Sequence, residues 1–297
     1  MDWHSPYVTY WAERWEYAMA HTDNFCAEIR SKDAVDRHEE ANVPAFQRGM
    51  GQSSERADAA LARIALRGYL KEEHFALDIG AGTGVFTIPL AQKLRRVTSL
   101  DISENMQLFT RSRAQAEGLD NIDYVLQNWR TLDLDQMQMR QAYDLVLCSI
   151  NPRGVCSLDT LQKMNQASRG GCCLLNFAGR SETNGHGAAL QQIILGRTLG
   201  TEGGNDVIFP FNLIYFLGGE PDLNYTRIAW EKHTPPEKAV EAICFNYWRF
   251  ADITDEIRKQ IKEYVYAHLD EDGTFVEQVE HLIGIMVWDA WRINEQN

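Results

Sequence analysis

A chain of 297 residues with 44% hydrophobic content is long enough for one large domain or for a core with a substantial appendage. Its formal net charge of -13, with no Lys/Arg cluster to offset it, repels polyanions and disfavours tRNA, rRNA and DNA as partners. No stretch approaches about eighteen consecutive apolar residues, and no basic segment followed by an apolar run opens the chain, so neither a membrane span nor export is expected. Cys26, Cys148, Cys156, Cys172, Cys173 and Cys244 form no C-x-x-C pair and no zinc spacing with histidine. A reducing, cytoplasmic setting without a bound metal is the expectation.

Trp3, Tyr7, Tyr10, Trp11, Trp15 and Tyr17 recur at near-helical spacing between Glu13, Arg14 and Glu16, which predicts an amphipathic helix. A second helix is expected from Asn24 to about Asn42, closed by Pro44. Gly49, Gly51, Ser53 and Ser54 mark a joint, dividing a helical cap (1–52) from the remainder (53–297). The next helix runs to about Leu70, with Leu61, Ile64 and Ala65 on one face.

Leu77 to Ile79 read as a short buried strand, and Gly80, Gly82 and Gly84 then let the backbone turn tightly and approach a ligand. A helix should continue from Val85, its first amides facing that ligand. The third glycine comes one residue too early for the dinucleotide fingerprint, which argues against NAD. Arg96 to Asp101 reads as the next strand, ending in a carboxylate about twenty residues after the loop, where a ribose-binding acid belongs. A helix from Ser103 to Glu117 is stopped by Gly118. Further strands are expected at Ile122 to Trp129, Tyr143 to Ile150 and Cys172 to Phe177, with a helix from Ser157 to Ser168 and a turn at Gly170-Gly171. Alternating strands and helices predict a mostly parallel sheet.

Beyond Phe177 the pattern loosens. Gly179 to Gly204 reads as a mobile loop around one apolar helix, Ala188 to Leu199, and Phe209 to Gly219 holds a short aromatic helix with Asn212 and Tyr215 one turn apart. Leu223 to His233 and His281 to Trp288 read as strands, with helices at Pro235 to Phe250 and Thr254 to Leu269 between them. Insertions are thus expected at about 179–221 and 235–272.

The run from Asp78 to Gly84, D-x-G-x-G-x-G, followed by Asp101-Ile102-Ser103-Glu104-Asn105-Met106, resembles the cofactor motifs of the class I S-adenosylmethionine (SAM) methyltransferases. The resemblance covers about 55–180 well and the last strands loosely. It implies an α/β fold with a seven-stranded, mostly parallel, doubly wound sheet closed by a C-terminal antiparallel hairpin. It implies SAM as cofactor and S-adenosylhomocysteine (SAH) as product. Asp78, Gly80, Ala81, Gly82, Thr83 and Gly84 would line the cofactor, Asp101 would bind the ribose hydroxyls, and Ile102 and Met106 would pack on the adenine. Asn128 stands where the family usually has an Asp that accepts from the adenine amino group, with Trp129 beside it and Ser149 at the end of the fourth strand.

Small-molecule members of that family often use N-terminal helices and insertions to cover the acceptor. On that basis Trp11, Trp15, Asn151, Arg153, Asn212 and Tyr215 are acceptor-side candidates. Packing against the core is the simpler reading of the N-terminal aromatics. Asn151-Pro152-Arg153-Gly154 resembles the N-P-P-Y motif of amide and base-nitrogen methyltransferases but lacks the second proline and the aromatic. His186 lies in the expected lid and stays outside the catalytic assignment, which is left open. The leading reading is a small-molecule methyltransferase. A protein or RNA methyltransferase, and a non-catalytic SAM-binding interaction protein, are the alternatives. The acceptor and the oligomeric state are not legible.

Overall fold

The apolar runs around Leu77, Leu100 and Val146 are short and buried on both faces, and such segments satisfy their backbone only by pairing side by side. The computed structural model describes residues 5–21, 50–150, 154–179, 185–198, 206–247 and 251–290. The expected helix from Asn24 to about Asn42 lies outside them, as do Asn151 and Arg153.

Helices α1 (Pro6–His21) and α2 (Met50–Leu66) precede strand β1 (Phe75–Ile79). There follow α3 (Thr87–Ala91), β2 (Arg96–Asp101), α4 (Glu104–Ala116), β3 (Ile122–Leu126), β4 (Tyr143–Ser149), α5 (Leu158–Ala167) and β5 (Ser168–Phe177). The remainder is α6 (His186–Leu195), α7 (Ile208–Phe216), β6 (Asp222–Thr234), α8 (Pro236–Tyr247), α9 (Asp255–Ala267) and β7 (Phe275–Asp289). One seven-stranded sheet results, in the order β3-β2-β1-β4-β5-β7-β6. β1 to β5 pair in parallel, and β7 runs antiparallel to both β5 and β6. The α/β class, the parallel core and the closing antiparallel pair are those expected from the sequence.

Because side chains alternate along each strand, the sheet has two apolar faces. On one, α2, α3 and α4 supply Leu61, Ile64, Ile88, Leu90 and Ala114 against Ala76, Val97, Leu145, Leu147 and Cys173. On the other, α1, α5 and α7 supply Trp15, Met19, Leu161, Met164, Leu213 and Ile214 against Leu77, Ile79, Leu100, Val146 and Cys148. The β6–β7 hairpin continues beyond the end of β5, pairing as far as Thr234 with Phe275. That extension carries a third cluster, in which Leu190 and Ile194 of α6 join Val240, Ile243, Ile261, Val265 and Phe275. The two insertions read separately in the sequence therefore share one small core.

Several boundaries differ from the sequence reading. Helix α2 already begins at Met50, so the division at 52/53 falls within its first turn, the Ala-rich run that follows carrying the helix through Gly51. Helix α3 is only five residues long, and loop turns occupy Val85 and Phe86 instead. Helix α6 ends at Leu195 because Gly196 takes φ +68, leaving residues up to Leu199 outside it. β3 ends at Leu126, and β7 starts at Phe275, earlier than His281.

Gly170-Gly171 forms no turn but lies within β5, which α5 enters directly. A Cβ on Gly170 would overlap the Asp144 carbonyl, and one on Gly171 would overlap the Tyr69 ring. These glycines permit close approach, and backbone at Asp144 cannot yield cheaply. Gly170→Ala should therefore destabilise the protein by about 1–3 kcal/mol, read from the urea midpoint; an unchanged midpoint would show that β4 and β5 can separate without cost.

Candidate cofactor and acceptor site

The glycine loop is held from both sides. The amides of Gly80 and Ala81 donate to the carbonyl of Leu100 at 2.8 and 3.1 Å, tying the end of β1 to β2. From α4, Thr110 Oγ1 donates to the Gly82 carbonyl at 2.8 Å and Arg113 Nη1 to the Thr83 carbonyl at 2.7 Å. Gly82 N donates to Asp101 Oδ2 at 2.8 Å, and Ser103 N to Asp101 Oδ1 at 2.9 Å. A Cβ on Gly82 would meet only the Gly80 carbonyl, at 4.0 Å, so open space lies above the loop there. Gly84 has φ +76, and its missing Cβ makes room for Thr110.

Asp78 is 2% exposed and accepts from Thr87 Oγ1 at 2.6 Å. Burial pushes its carboxyl up to about 7; the Thr87 hydroxyl opposes the shift and the charge of Asp101 adds to it. Asp101 is raised as well, by burial, against the three amides of Ser103, Gly82 and Ile102. The Gly82 amide on Oδ2 and the Ser103 amide on Oδ1 are the shortest of these contacts, and each oxygen keeps a lone pair for a further donor. Ser103 caps α4, accepting from Met106 N at 3.3 Å.

Beyond β2, Ile102 stands 47% exposed, whereas Met106 is buried on α4. Asn128 is exposed, and its Oδ1 accepts from Arg130 N at 3.0 Å, which starts the turn after β3 and leaves one lone pair for another donor. Trp129 does not join this edge: its ring is 2% exposed in the core and its Nε1 donates to the Thr160 carbonyl at 3.4 Å. Lys163 of α5 fixes that turn by donating to the carbonyls of Trp129, Arg130 and Leu132. At the end of β4, Ser149 Oγ is sealed from solvent without a partner, and Ile150 takes φ 46 in the left-handed region.

Of the acceptor-side candidates, Trp15 is 1% exposed and packs in the core, so its indole cannot meet an acceptor without unpacking α1. Trp11 is half-buried against Phe209 of α7. Asn212 donates back to the Ile208 carbonyl at 2.7 Å, a helix-internal bond, while Tyr215 is 60% exposed. His186 sits on α6, its Nδ1 3.0 Å from the Tyr264 hydroxyl and its ring against Phe275, which makes it a pin of the small cap core. Two groups missed in the sequence stand at the site. Arg56 of α2 and His281 of β7 are coupled electrostatically across the carboxyl edge, Arg56 also acting on Asp78. Neither lies in a motif.

Residues 76–169 match the family described as "Methyltransferase domain". A 23S rRNA (uracil(1939)-C(5))-methyltransferase of Xanthomonas campestris is 33% identical over 97 residues, 32% of this chain and 21% of that protein. The chain thus spans about a fifth of the length of the curated relatives it matches. A Bacillus halodurans protein assigned as a methyltransferase superposes with a TM-score of 0.51 at 13% identity, covering 78% of this chain and 99% of its own. The magnesium protoporphyrin IX methyltransferase of Synechocystis, solved with bound SAH, gives 0.49 at 16% identity, covering 81% and 84%. The open space over Gly82, the spare acceptor capacity of Asp101 and the orphaned Ser149 hydroxyl all fit SAM.

Between its ordinary value of 3.8 and about 7, Asp78 keeps a proton in the folded chain that the unfolded chain has released. Its contribution to stability therefore falls as pH rises through that window. Asp78→Asn removes this dependence. Relative to the variant, wild type should lose up to roughly 1.4 kcal/mol per pH unit between about pH 4 and about pH 7, measured by urea unfolding; parallel curves would refute the raised carboxyl.

Proposed function

We propose that this chain, which has the Rossmann-like fold of the class I SAM-dependent methyltransferases and carries a methyltransferase domain at 76–169, is an enzyme that methylates a small-molecule acceptor and releases SAH. The bond between the Gly82 amide and the Asp101 carboxylate carries this reading, because it fixes loop and acid in one geometry at the carboxyl edge of the sheet. Bound SAM supplies a methyl group activated by its sulfonium. The residues' share is to bind, orient and exclude water. Asp101 accepts from the ribose hydroxyls, Ile102 lies against the adenine, and Asp78, ionised by a neighbouring ammonium group, helps hold the amino-acid end. Ser149, at the end of β4, faces the transfer.

The small-molecule acceptor is supported by the net charge of -13, because a polyanion would need a basic surface. No helix among the described residues is long and apolar enough to cross a membrane, and Cys148, Cys156, Cys172, Cys173 and Cys244 are free and buried. Both agree with a reducing, cytoplasmic setting. An RNA acceptor is the second reading, favoured by the similarity to the rRNA enzyme over 97 residues.

Release of SAH by the purified protein, assayed against pooled metabolite fractions and against RNA, decides between them. Turnover on a metabolite fraction supports the first reading, turnover on RNA alone replaces it, and SAM binding without turnover on any pool leaves a non-catalytic binding protein. Asp101→Ala should weaken SAM binding by about 1.5–3 kcal/mol in calorimetry, and unchanged affinity would remove the ribose role. Gly82→Val should abolish binding while the fold persists, since its side chain fills the open space above the loop and φ +54 strains it further. A folded variant with normal affinity would contradict the loop assignment.

A further inference from the structure

The chain leaves the sheet at the carboxyl end of β5 and returns to the same point. Gly179 N donates to Asp206 Oδ2 at 3.0 Å, and Val207 N donates to the Phe177 carbonyl at 2.8 Å. Between these two bonds lies α6, which carries one titratable side chain, His186 at its first position. Leu190 and Ile194 bury α6 in the cap core with Ile261 and Val265 of α9 and Phe275 of β7. Apolar contacts of that kind do not take up protons, so His186 is where a proton acts on the docking of α6 from its own side.

Two elements pack against that imidazole. From α9, the Tyr264 hydroxyl lies 3.0 Å from His186 Nδ1, and the His268 and His186 ring centroids are 5.3 Å apart. Tyr264 also stacks on His268 at 4.1 Å, and its carbonyl accepts from His268 Nδ1 at 2.7 Å. From β7, the Phe275 ring lies 4.3 Å from that of His186, and Glu277 and the Val276 backbone act on the His186 charge.

Most of these surroundings oppose a proton on His186. Burial and then His268 pull the imidazole below its ordinary value, against Glu277 and the Val276 backbone. Glu277 is itself paired with Lys232 Nζ at 2.7 Å, which divides its attraction. His186 stands at the N-terminal end of α6, where free amides disfavour a cation, whereas His268 caps the C-terminal end of α9, where free carbonyls favour one. A neutral His186 ring can accept the Tyr264 hydroxyl on Nδ1. A protonated ring donates from both nitrogens, so the hydroxyl must turn and the new charge faces Phe275 and His268.

We propose that His186 and His268 form an acid-released latch, which holds α6 on α9 and β7 while His186 is neutral and lets it go when both imidazoles are charged. The docked His186 ring lies below its ordinary value of 6.5, so undocked α6 binds the proton more tightly. Docking is therefore complete above about pH 7 and weakens as pH falls through the ordinary value toward the docked one. Release leaves the excursion from Gly179 to Asp206 held at its base beside β5. The latch is independent of the methyltransferase reading.

The test is amide hydrogen exchange on the full chain from about pH 7.5 to about pH 5, corrected for intrinsic rates and comparing α6 with β4. Wild-type α6 should open up to about tenfold more often per pH unit below about pH 6.5, while β4 does not follow. Asp78 cannot produce that pattern, because its raised carboxyl firms the whole fold as pH falls. His186→Asn, which can still accept from Tyr264, should flatten the dependence. His268→Gln should raise the titration midpoint of the His186 ring protons, which are assigned by their loss in His186→Asn. Wild-type protection of α6 that stays constant to the lowest pH, that falls in step with β4, or that keeps its slope in His186→Asn overturns the latch. If His186→Asn leaves α6 unprotected at every pH, the ring titration decides. A wild-type midpoint below the ordinary 6.5 that rises in His268→Gln keeps the latch, and a midpoint at or above 6.5, or one unmoved by His268→Gln, overturns it.

Discussion

The Asp101 carboxylate takes the amide of Gly82, and the shape of the carboxyl edge depends on that bond. A glycine loop at the end of a strand has more backbone donors and acceptors than it can satisfy within itself. Here each set has a fixed partner. Leu100 takes the amides of Gly80 and Ala81, Ala81 takes that of Gly84, α4 takes the carbonyls of Gly82 and Thr83 through Thr110 and Arg113, and Asp101 takes the amide of Gly82. Positive φ at Gly80, Gly82 and Gly84 lets successive groups point to these different partners. The loop is therefore one unit with β2 and α4, and a shift of α4 would move the amides and the acid together.

The same edge concentrates charge in a dry place. Burial raises Asp78 and Asp101 and lowers Arg56, so desolvation opposes the charged form of each. Elsewhere charges are paired at the surface, as Arg96 with Asp123 and Arg169 with Asp144. Ser149 adds an unpaired hydroxyl at the end of β4. Perturbed and unsatisfied groups gathered at one edge are characteristic of a binding site. They lie where the order of the strands turns outward from β1, to β2 on one side and β4 on the other.

The two faces of the sheet serve the site differently. The face packed by α2 carries apolar residues such as Ala76, Leu147 and Leu175, while the opposite face, with α1 and α7, is closed by aromatics such as Trp15. Tyr7 stacks on Phe216 at 5.0 Å, and Trp11 meets Phe209 edge-on, so α1 is docked by ring contacts along α7. The overlong β6–β7 hairpin does a separate job. It projects past β5 and gives α6, α8 and α9 a core of their own, pinned by His186 and Tyr264.

The sequence by itself determined what depends on neighbours along the chain. The glycine spacing, the acid at the end of β2, the Ser103 cap and the alternation of strand and helix each arise from local backbone demands, and they specify an α/β sheet with a cofactor edge. Tertiary structure decided the rest. Gly170-Gly171 has the composition of a turn, and only the approach of the Asp144 carbonyl and the Tyr69 ring explains two glycines inside β5. Trp15 and Trp129 carry polar handles suited to a ligand, yet packing area assigns both to the core. Arg56 reads as one solvated charge on a helix, and His281 as one position in an apolar strand. Only the folded chain packs α2 against β6 and β7 and lets the Arg56 charge act on Asp78 and on His281, residues far apart in the sequence.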